Sequence, residues 1–524
     1  MVLRSEPVMR ERTVGCREWT EPCACAQRQA NARRRRAGAA PRRLRHKRAQ
    51  KPDAGAAGEP RGASGRSSTL CSLRAMRPAA ARACARAGLP RGGSRRAPAC
   101  QRRGLGRGLA SAPAGGAEAL LEGRPRSVAV VGAGFSGLSV AYHLLKASAG
   151  VRVTVVDEGG LCGGASAVAG GLLHPLSPRG RPLWRGVEAF EAAKELVAAA
   201  EAAAEAAAAG AEGGGWSRRD GVLRPARDGK QARDFEVATE RHAPLVGVAR
   251  ASAAQEAVPG LAAPPGGAAL LAPQGMVVDS RRYLQALWRA CIALRGAEDG
   301  PRLLETRVES LDALTAEGGY DAVVLCAGAA ANALPETSGR LPLTPVSGHV
   351  IELEPPSGDD GGAYPSGAPS LLGHTYLAWA GQRLCVGATR DYGKQGAAAS
   401  ARSGEADGAA AEAAAEALRS DAEKIWPPSE HWRTARVLHG CRASPPRTPA
   451  GAVPLTGSLN TLRPPGGAAD GANADWWLLG GMGARGLVYH AWLGRLVAAA
   501  VLAGSEACLP AETLTWQEMD ARLD

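Results

Sequence analysis

Long apolar runs are missing from this sequence. No stretch of its 524 residues approaches the roughly 20 that a membrane-spanning helix needs, and the longest, Leu493 to Gly504, carries Arg495. The expectation is a body with no membrane partner. Paired cysteines are missing too. Six of the 12 cysteines (Cys16, Cys23, Cys25, Cys71, Cys84, Cys100) fall in the first quarter. The others stand singly, without a CxxC neighbour or a histidine at zinc spacing, which fits a reducing compartment and no structural metal. There is no internal repeat, no Ser/His/Asp set and no carboxylate pair, so nothing points to a solenoid or a hydrolase.

Acidic residues are absent between Arg61 and Ala117, where Ala, Gly and Ser dominate. The net charge of +14 is unevenly spread. Met1 to Arg126 holds about 29 Lys+Arg against about 8 Asp+Glu, which leaves the remainder near −7. A basic chain ordinarily suggests nucleic acid or an anionic membrane; here that argument applies to the leader and not to the body. Residues 1–124, with Arg33 to Arg36 in a row, read as a disordered Arg/Ala-rich targeting leader. Its destination is an organelle, the chloroplast before the mitochondrion, or the cytoplasm if the leader is an artefact of the gene model. Met76 opens a stretch that would serve as a transit peptide by itself. A basic arm that touches RNA or a partner is the alternative.

The rest is long enough for two lobes. Ser127 to Lys146, Tyr320 to Ala333 and Trp476 to Ala500 each pass from a β-branched run through a glycine turn to a helical pattern, the unit of a doubly wound parallel sheet. Alternating pieces such as His349 to Glu354 and Gln382 to Ala388 suit an antiparallel sheet in a second, α+β lobe. The Ala/Glu run Ala198 to Gly215 reads as a helix that ends at its glycines.

The strongest local signal is Ser127-Val-Ala-Val-Val-Gly-Ala-Gly-Phe-Ser-Gly137. Gly132, Gly134 and Gly137 have the G-x-G-x-x-G spacing, with Ala133, Phe135 and Ser136 between them. The spacing provides a tight turn, a close backbone approach to a pyrophosphate and close helix–strand packing. A helix starting at Phe135 turns its dipole and free N–H groups toward the phosphates. A second strand, Val151 to Val156, ends at Asp157, placed to accept from a ribose hydroxyl. Strand, turn, helix and acid together predict a dinucleotide site, without separating NAD from FAD.

The segments that follow make that distinction through likeness. Gly163-Gly-Ala-Ser-Ala-Val-Ala-Gly-Gly-Leu-Leu-His-Pro175, Val323 to Ala329, Pro345 to Val350, Gly440-Cys-Arg442 and Leu479-Gly-Gly-Met-Gly-Ala-Arg-Gly-Leu487 occur in the order seen in the D-amino acid oxidase-like FAD-dependent oxidoreductases. The chain resembles that family from Ser127 to Ala500, with glycine and sarcosine oxidases and the oxidase half of the bacterial tRNA wobble-uridine enzyme among its members. The resemblance implies a Rossmann-like FAD lobe (about 125–210, 276–345 and 440–500), a substrate lobe (about 211–275 and 346–439) and a C-terminal tail, 501–524.

It also implies FAD contacts. Asp157 would take the ribose, a backbone group near Val308 the adenine, and Ser166 and Ala167 the pyrophosphate or ribityl chain. Ala327 and Gly328 would pass close to the cofactor, and His174 would neighbour the flavin ring. The turn through Gly481, Met482, Gly483, Gly486 and Leu487 would set a helix N-terminus beside the flavin pyrimidine, where reduction places negative charge. Met482 and Arg485 depart from the family's usual residues at this turn.

For chemistry, the resemblance implies oxidation of a C–N bond in a small amine or amino acid by hydride transfer to flavin N5, with oxygen or an electron-transfer protein as the acceptor. Arg442 would grip the substrate carboxylate, since a guanidinium fork matches it bidentately; a surface arginine in a loop is the alternative. Tyr376 resembles a residue facing the substrate cavity, or is a core tyrosine. His349 would lie near the flavin face, or is a hydrogen-bonded structural histidine. Cys441 neighbours a position of covalent flavin attachment, or is an inert buried thiol. Two rival functions remain open: oxidation of a carboxymethylaminomethyl-uridine in tRNA, with Arg179, Arg181 and Arg185 as a local basic patch, and a non-catalytic flavin-binding scaffold.

Overall fold

Alternation along three short strands decides the first layer. Val128, Val130, Val153, Val155 and Val324 point to one side, and Ala129, Val131, Val323 and Leu325 point to the other, all buried. Both faces of the sheet are covered, as in doubly wound folds. The computed structural model describes residues 126–207, 215–296, 298–356, 363–380, 383–392, 403–463 and 474–520, all in one compact unit. The proposed targeting leader, 1–124, lies outside them. The sheet order is Leu455–Ser458, Asp475–Gly480, Ala322–Leu325, Ser127–Val131, Arg152–Val156, Arg302–Leu304. Every neighbouring pair is parallel except the antiparallel edge strand Leu455–Ser458.

Helices Phe135–Ala147, Gly186–Ala207, Ser280–Ala293 and Gly486–Ala503 cover one face of this sheet and pack on each other. The last is apolar on most sides, with Arg495 exposed. Gly483–Ala503 is, by length and composition alone, able to cross a membrane; an 18-residue stretch of it has a mean hydropathy of 1.5, and 67 % of that stretch is buried inside the fold. Its apolar run continues through Arg485 and Arg495, so the sequence-based limit at Leu493 was too short. Burial on most sides identifies a core helix.

The second sheet has nine strands, in the order Gly404–Glu405, Arg433–Ser444, Thr344–Glu354, Arg383–Gly387, Tyr376–Ala380, Ser370–Leu372, Val222–Pro225, Ala268–Ala272, Gly247–Arg250. Its spine is the antiparallel pair Thr344–Glu354 and Arg433–Ser444, registered from Thr344 opposite Ser444 to Glu354 opposite Arg433. Both strands run past the lobe boundaries read from sequence and so join the two lobes.

Three elements differ from expectation. After the strand Ala322–Leu325, the unit from Tyr320 to Ala333 continues only as a 3-10 turn, Gly328–Ala333. Gly328 enters it at φ +57° and Pro335 follows it, which leaves no room for an α-helix. The helix expected from Ala198 begins earlier and runs Gly186–Ala207, and residues 208–214 lie outside the described set. Residues 501–520 are not a separate tail. Trp516 is buried against the first sheet, its Nε1–H donating to the Thr456 carbonyl at 2.8 Å, and Glu506 accepts the Ser458 N–H at 2.6 Å.

Candidate active site

The glycine turn between the first strand and first helix is held by close backbone contacts. Gly132 adopts φ +111°, and a Cβ there would lie 2.6 Å from the Cys326 carbonyl oxygen. A Cβ on Gly137 would lie 1.8 Å from the Gly132 carbonyl oxygen, so only glycine lets the helix close on the turn. Both oxygens of Asp157 are engaged: Oδ2 accepts from the Ala133 N–H at 2.7 Å and Oδ1 from the Gly159 N–H at 2.8 Å. Ser166 Oγ accepts from the Phe135 N–H at 3.0 Å. First-turn N–H groups beyond it have no intrahelical acceptor, and Gly134 and Ser136 at this helix start line a cavity.

That cavity has a volume of about 970 Å³, at the upper end for small-molecule sites, and runs from the glycine turn to the second sheet. Gly132, Gly134, Phe135, Ser136, Asp157, Ser166, His174, Ala327, Gly328, Gly481, Met482, Gly483, Gly486 and Leu487 line it, together with Tyr376 and Arg442. Four predicted cofactor residues do not. Ala133, Gly137 and Ala167 are packed just behind the wall, and half-buried Val308 packs against the apolar cluster on the sheet's other face.

His349 is also outside the cavity, and strand alternation is the reason. Gly348 and Val350 face the main cavity. His349 lies on the opposite face, in a separate recess beside His439, with the two rings 5.1 Å apart. Its placement near the flavin face is therefore corrected.

Tyr376 lies across Gly170, where an added Cβ would sit 2.2 Å from the phenol ring. Burial pushes its phenol well above the usual range, so it stays protonated and able to donate. Cys441 is 3 % exposed and burial raises its thiol pKa, which makes it a poor nucleophile. His174 is buried and accepts the Leu176 N–H on Nδ1 at 3.2 Å. Burial, and then Arg485 and Arg224, hold it well below the ordinary histidine range, so the ring is neutral.

Arg442, on the strand Arg433–Ser444, is half-buried at the cavity wall, and its Nε has no hydrogen-bond partner. Sequence reading missed Arg224, Arg390 and the full weight of Arg485, which also line the cavity. Arg224 carried a local signal, as the charged residue in the otherwise apolar run Val222–Pro225. The fit to a dinucleotide rests on the glycine cradle, the helix N-terminus and Asp157; a second cradle at Gly481–Gly486 opens the last helix beside them.

With the geometry in place, comparison with known proteins assigns the family. The model of the DAO family, FAD-dependent oxidoreductases, matches residues 127–500. The chain belongs to the DAO family. Its cofactor is FAD, and it is an FAD-dependent oxidoreductase. Among solved structures it is similar to iminodiacetate oxidase from Chelativorans sp. BNC1, with 23 % identity, a TM-score of 0.53, and coverage of 74 % of this chain and 97 % of that one. Glycine oxidase from Geobacillus kaustophilus gives 20 %, 0.55, 75 % and 98 %, respectively. L-proline dehydrogenase from P. horikoshii gives 16 %, 0.55, 76 % and 99 %. At these identities the likeness establishes the DAO fold. No curated protein matches the chain.

Proposed function

We propose that this DAO-family enzyme oxidises the C–N bond of a small amino acid or secondary amine that carries a carboxylate. The observation that carries this reading is Arg442, a half-buried guanidinium on the cavity wall with an unpartnered Nε and no carboxylate bound to it among the described residues. A planar carboxylate satisfies such a fork with two charge-assisted hydrogen bonds. Tyr376, kept protonated by burial, can donate to the same substrate end. FAD, when bound, supplies the two-electron acceptor for hydride leaving the carbon next to nitrogen. Oxygen or an electron-transfer protein then takes the electrons. The solved structures named above include enzymes named for glycine, iminodiacetate and proline, which are amino acids with this pattern of groups.

The tRNA reading has less support. Arg179 lies 3.8 Å from Asp234 and Arg185 lies 3.2 Å from Glu188, so two of the three arginines considered for a basic patch have acidic partners.

The test is anaerobic addition of glycine, sarcosine, D-amino acids, proline and tRNA bearing the modified uridine to the full-length holoprotein. Loss of the visible flavin absorbance is the readout. We expect bleaching by at least one small amino acid. Arg442→Ala should raise the concentration needed by roughly 10- to 150-fold, the value of about 1.5–3 kcal/mol for hydrogen bonds to a charged group. Bleaching by the tRNA alone would transfer the protein to RNA modification. No bleaching by any of them would leave a scaffold.

A further inference from the structure

Six cationic side chains line the cavity, and two of them have a neighbouring carboxylate. Arg227 lies 3.3 Å from Asp228, and Lys424 lies 3.0 Å from Asp421. Arg224, Arg390, Arg442 and Arg485 have no acidic partner among the described residues, and the single carboxylate on the cavity wall, Asp157, is tied to the glycine turn. These four fall into two groups. Arg390 follows the strand Arg383–Gly387 and is a charged neighbour of Arg442. Arg224, on Val222–Pro225, and Arg485, at the start of the last helix, are neighbours of each other and of His174. Gly483, two residues before Arg485, sits against Ser444, two residues after Arg442; a Cβ on it would be 3.6 Å from Ser444 Oγ. One wall therefore carries both groups.

From this geometry we infer that the cavity binds a substrate with two anionic groups, one held at Arg442 and Arg390, the second at Arg224 and Arg485. The inference deepens the proposed amine oxidation and rests on it for what lies between the two anions. Like charges brought together in a partly desolvated cleft are unfavourable until an anion joins them. Burial, and then Arg485, lower Arg224 to about 10, and burial lowers Arg485 as well. The glycine turn that suits the FAD pyrophosphate belongs to the first sheet and Arg224 to the second, which leaves Arg224 for another anion. Four strands separate the strands of Arg442 and Arg224. The second anion therefore belongs on an arm that extends away from the first, as a carboxylate or a phosphate. His174, neutral beside Arg224 and Arg485, adds no negative charge to satisfy them.

The experiment uses the full-length holoprotein and matched secondary amines. N-methylglycine is compared with N-(carboxymethyl)glycine, with longer N-carboxyalkyl glycines, with N-(phosphonomethyl)glycine and with neutral N-(carbamoylmethyl)glycine. Thioether analogues of the same acids, which have no nitrogen to oxidise, are titrated by their perturbation of the flavin spectrum. The expected result is that at least one dianion binds and is oxidised about 10- to 100-fold better than the monoacid and the neutral amide. Arg224→Gln should collapse that ratio with FAD content retained, and Arg224→Lys should recover part of it. The carboxylate and phosphonate arms identify which anion the second group prefers.

Equal binding of monoacid, amide and every dianion would overturn the inference even if the amines are oxidised. Loss of FAD in Arg224→Gln and Arg224→Lys alike would also overturn it, by assigning Arg224 to the cofactor. Tight, Arg224-dependent binding of thioether diacids without oxidation of any amine would keep the two-anion site and remove the amine-oxidation reading.

Discussion

At Gly137 a single methyl group would separate the first helix from its turn. The Cβ would fall 1.8 Å from a backbone carbonyl oxygen, which has no flexible end to swing aside. Gly137→Ala should therefore cost about 3 kcal/mol or more and release the flavin, because the helix N-terminus would move off the phosphate position. Flavin content after purification and the thermal midpoint test this; a yellow, wild-type-stable Gly137→Ala protein would contradict the packing described. Residues of this kind were legible in the sequence because their chemistry is local, with three glycines at fixed spacing and Asp157 at the next strand end. His349 was misplaced by one register step, since a strand read as alternating does not reveal which face meets the cavity. Arg224, Arg390 and Arg485 come from three segments far apart in the chain, and their grouping is a property of the fold.

Among the elements, the last two dozen residues show what periodicity leaves out. Leu509, Leu514 and Trp516 sit in turns and helices of at most five residues, too short for an apolar period, so they read as a tail. In the fold they close one edge of the first sheet. Trp516 is 1 % exposed, Thr513 and Thr456 share a hydrogen bond of 2.5 Å, and Gln517 donates to Glu506 at 2.8 Å. Trp516→Ala should cost about 3–5 kcal/mol, the range for emptying a buried aromatic site. The measurement is the thermal midpoint of holoprotein; a loss below about 1 kcal/mol would show that the segment is an appendage after all. The strands and long helices were legible for the opposite reason. Val128–Val131, Phe135–Lys146 and Val151–Val156 each carry their own period, and the observed bounds fall within a residue of the reading. The Tyr320–Ala333 unit failed as a helix because the positive φ at Gly328 and the following Pro335 act against an otherwise helical composition.

Across the whole molecule, several cationic or potentially cationic side chains are held away from water, and this sets the response to acid. Besides His174, two histidines lie against the helical layer, His490 buried and His143 half-buried. Burial, and then Arg495 and Lys146, lower His143 to about 4, and burial lowers His490 to about 3. His490 Nδ1–H donates to the Leu487 carbonyl at 3.0 Å, which leaves Nε2 to accept the Tyr283 hydroxyl at 2.6 Å. A neutral ring fits that arrangement and a protonated one does not. In the unfolded chain each histidine titrates near 6.5. Above that pH both states are neutral and the stabilisation is complete. As pH falls below about 6.5 the unfolded chain takes up protons that the folded one refuses, so stability drops until the folded pKa is reached. Each histidine contributes a slope of up to about 1.4 kcal/mol per pH unit in that window. The holoprotein should consequently lose thermal stability between pH 7 and pH 5, and His490→Gln should flatten the slope by about one proton. A midpoint unchanged across that range in the wild type would mean that these histidines are already charged in the fold, and the neutral His174 beside Arg224 and Arg485 would have to be reconsidered with them.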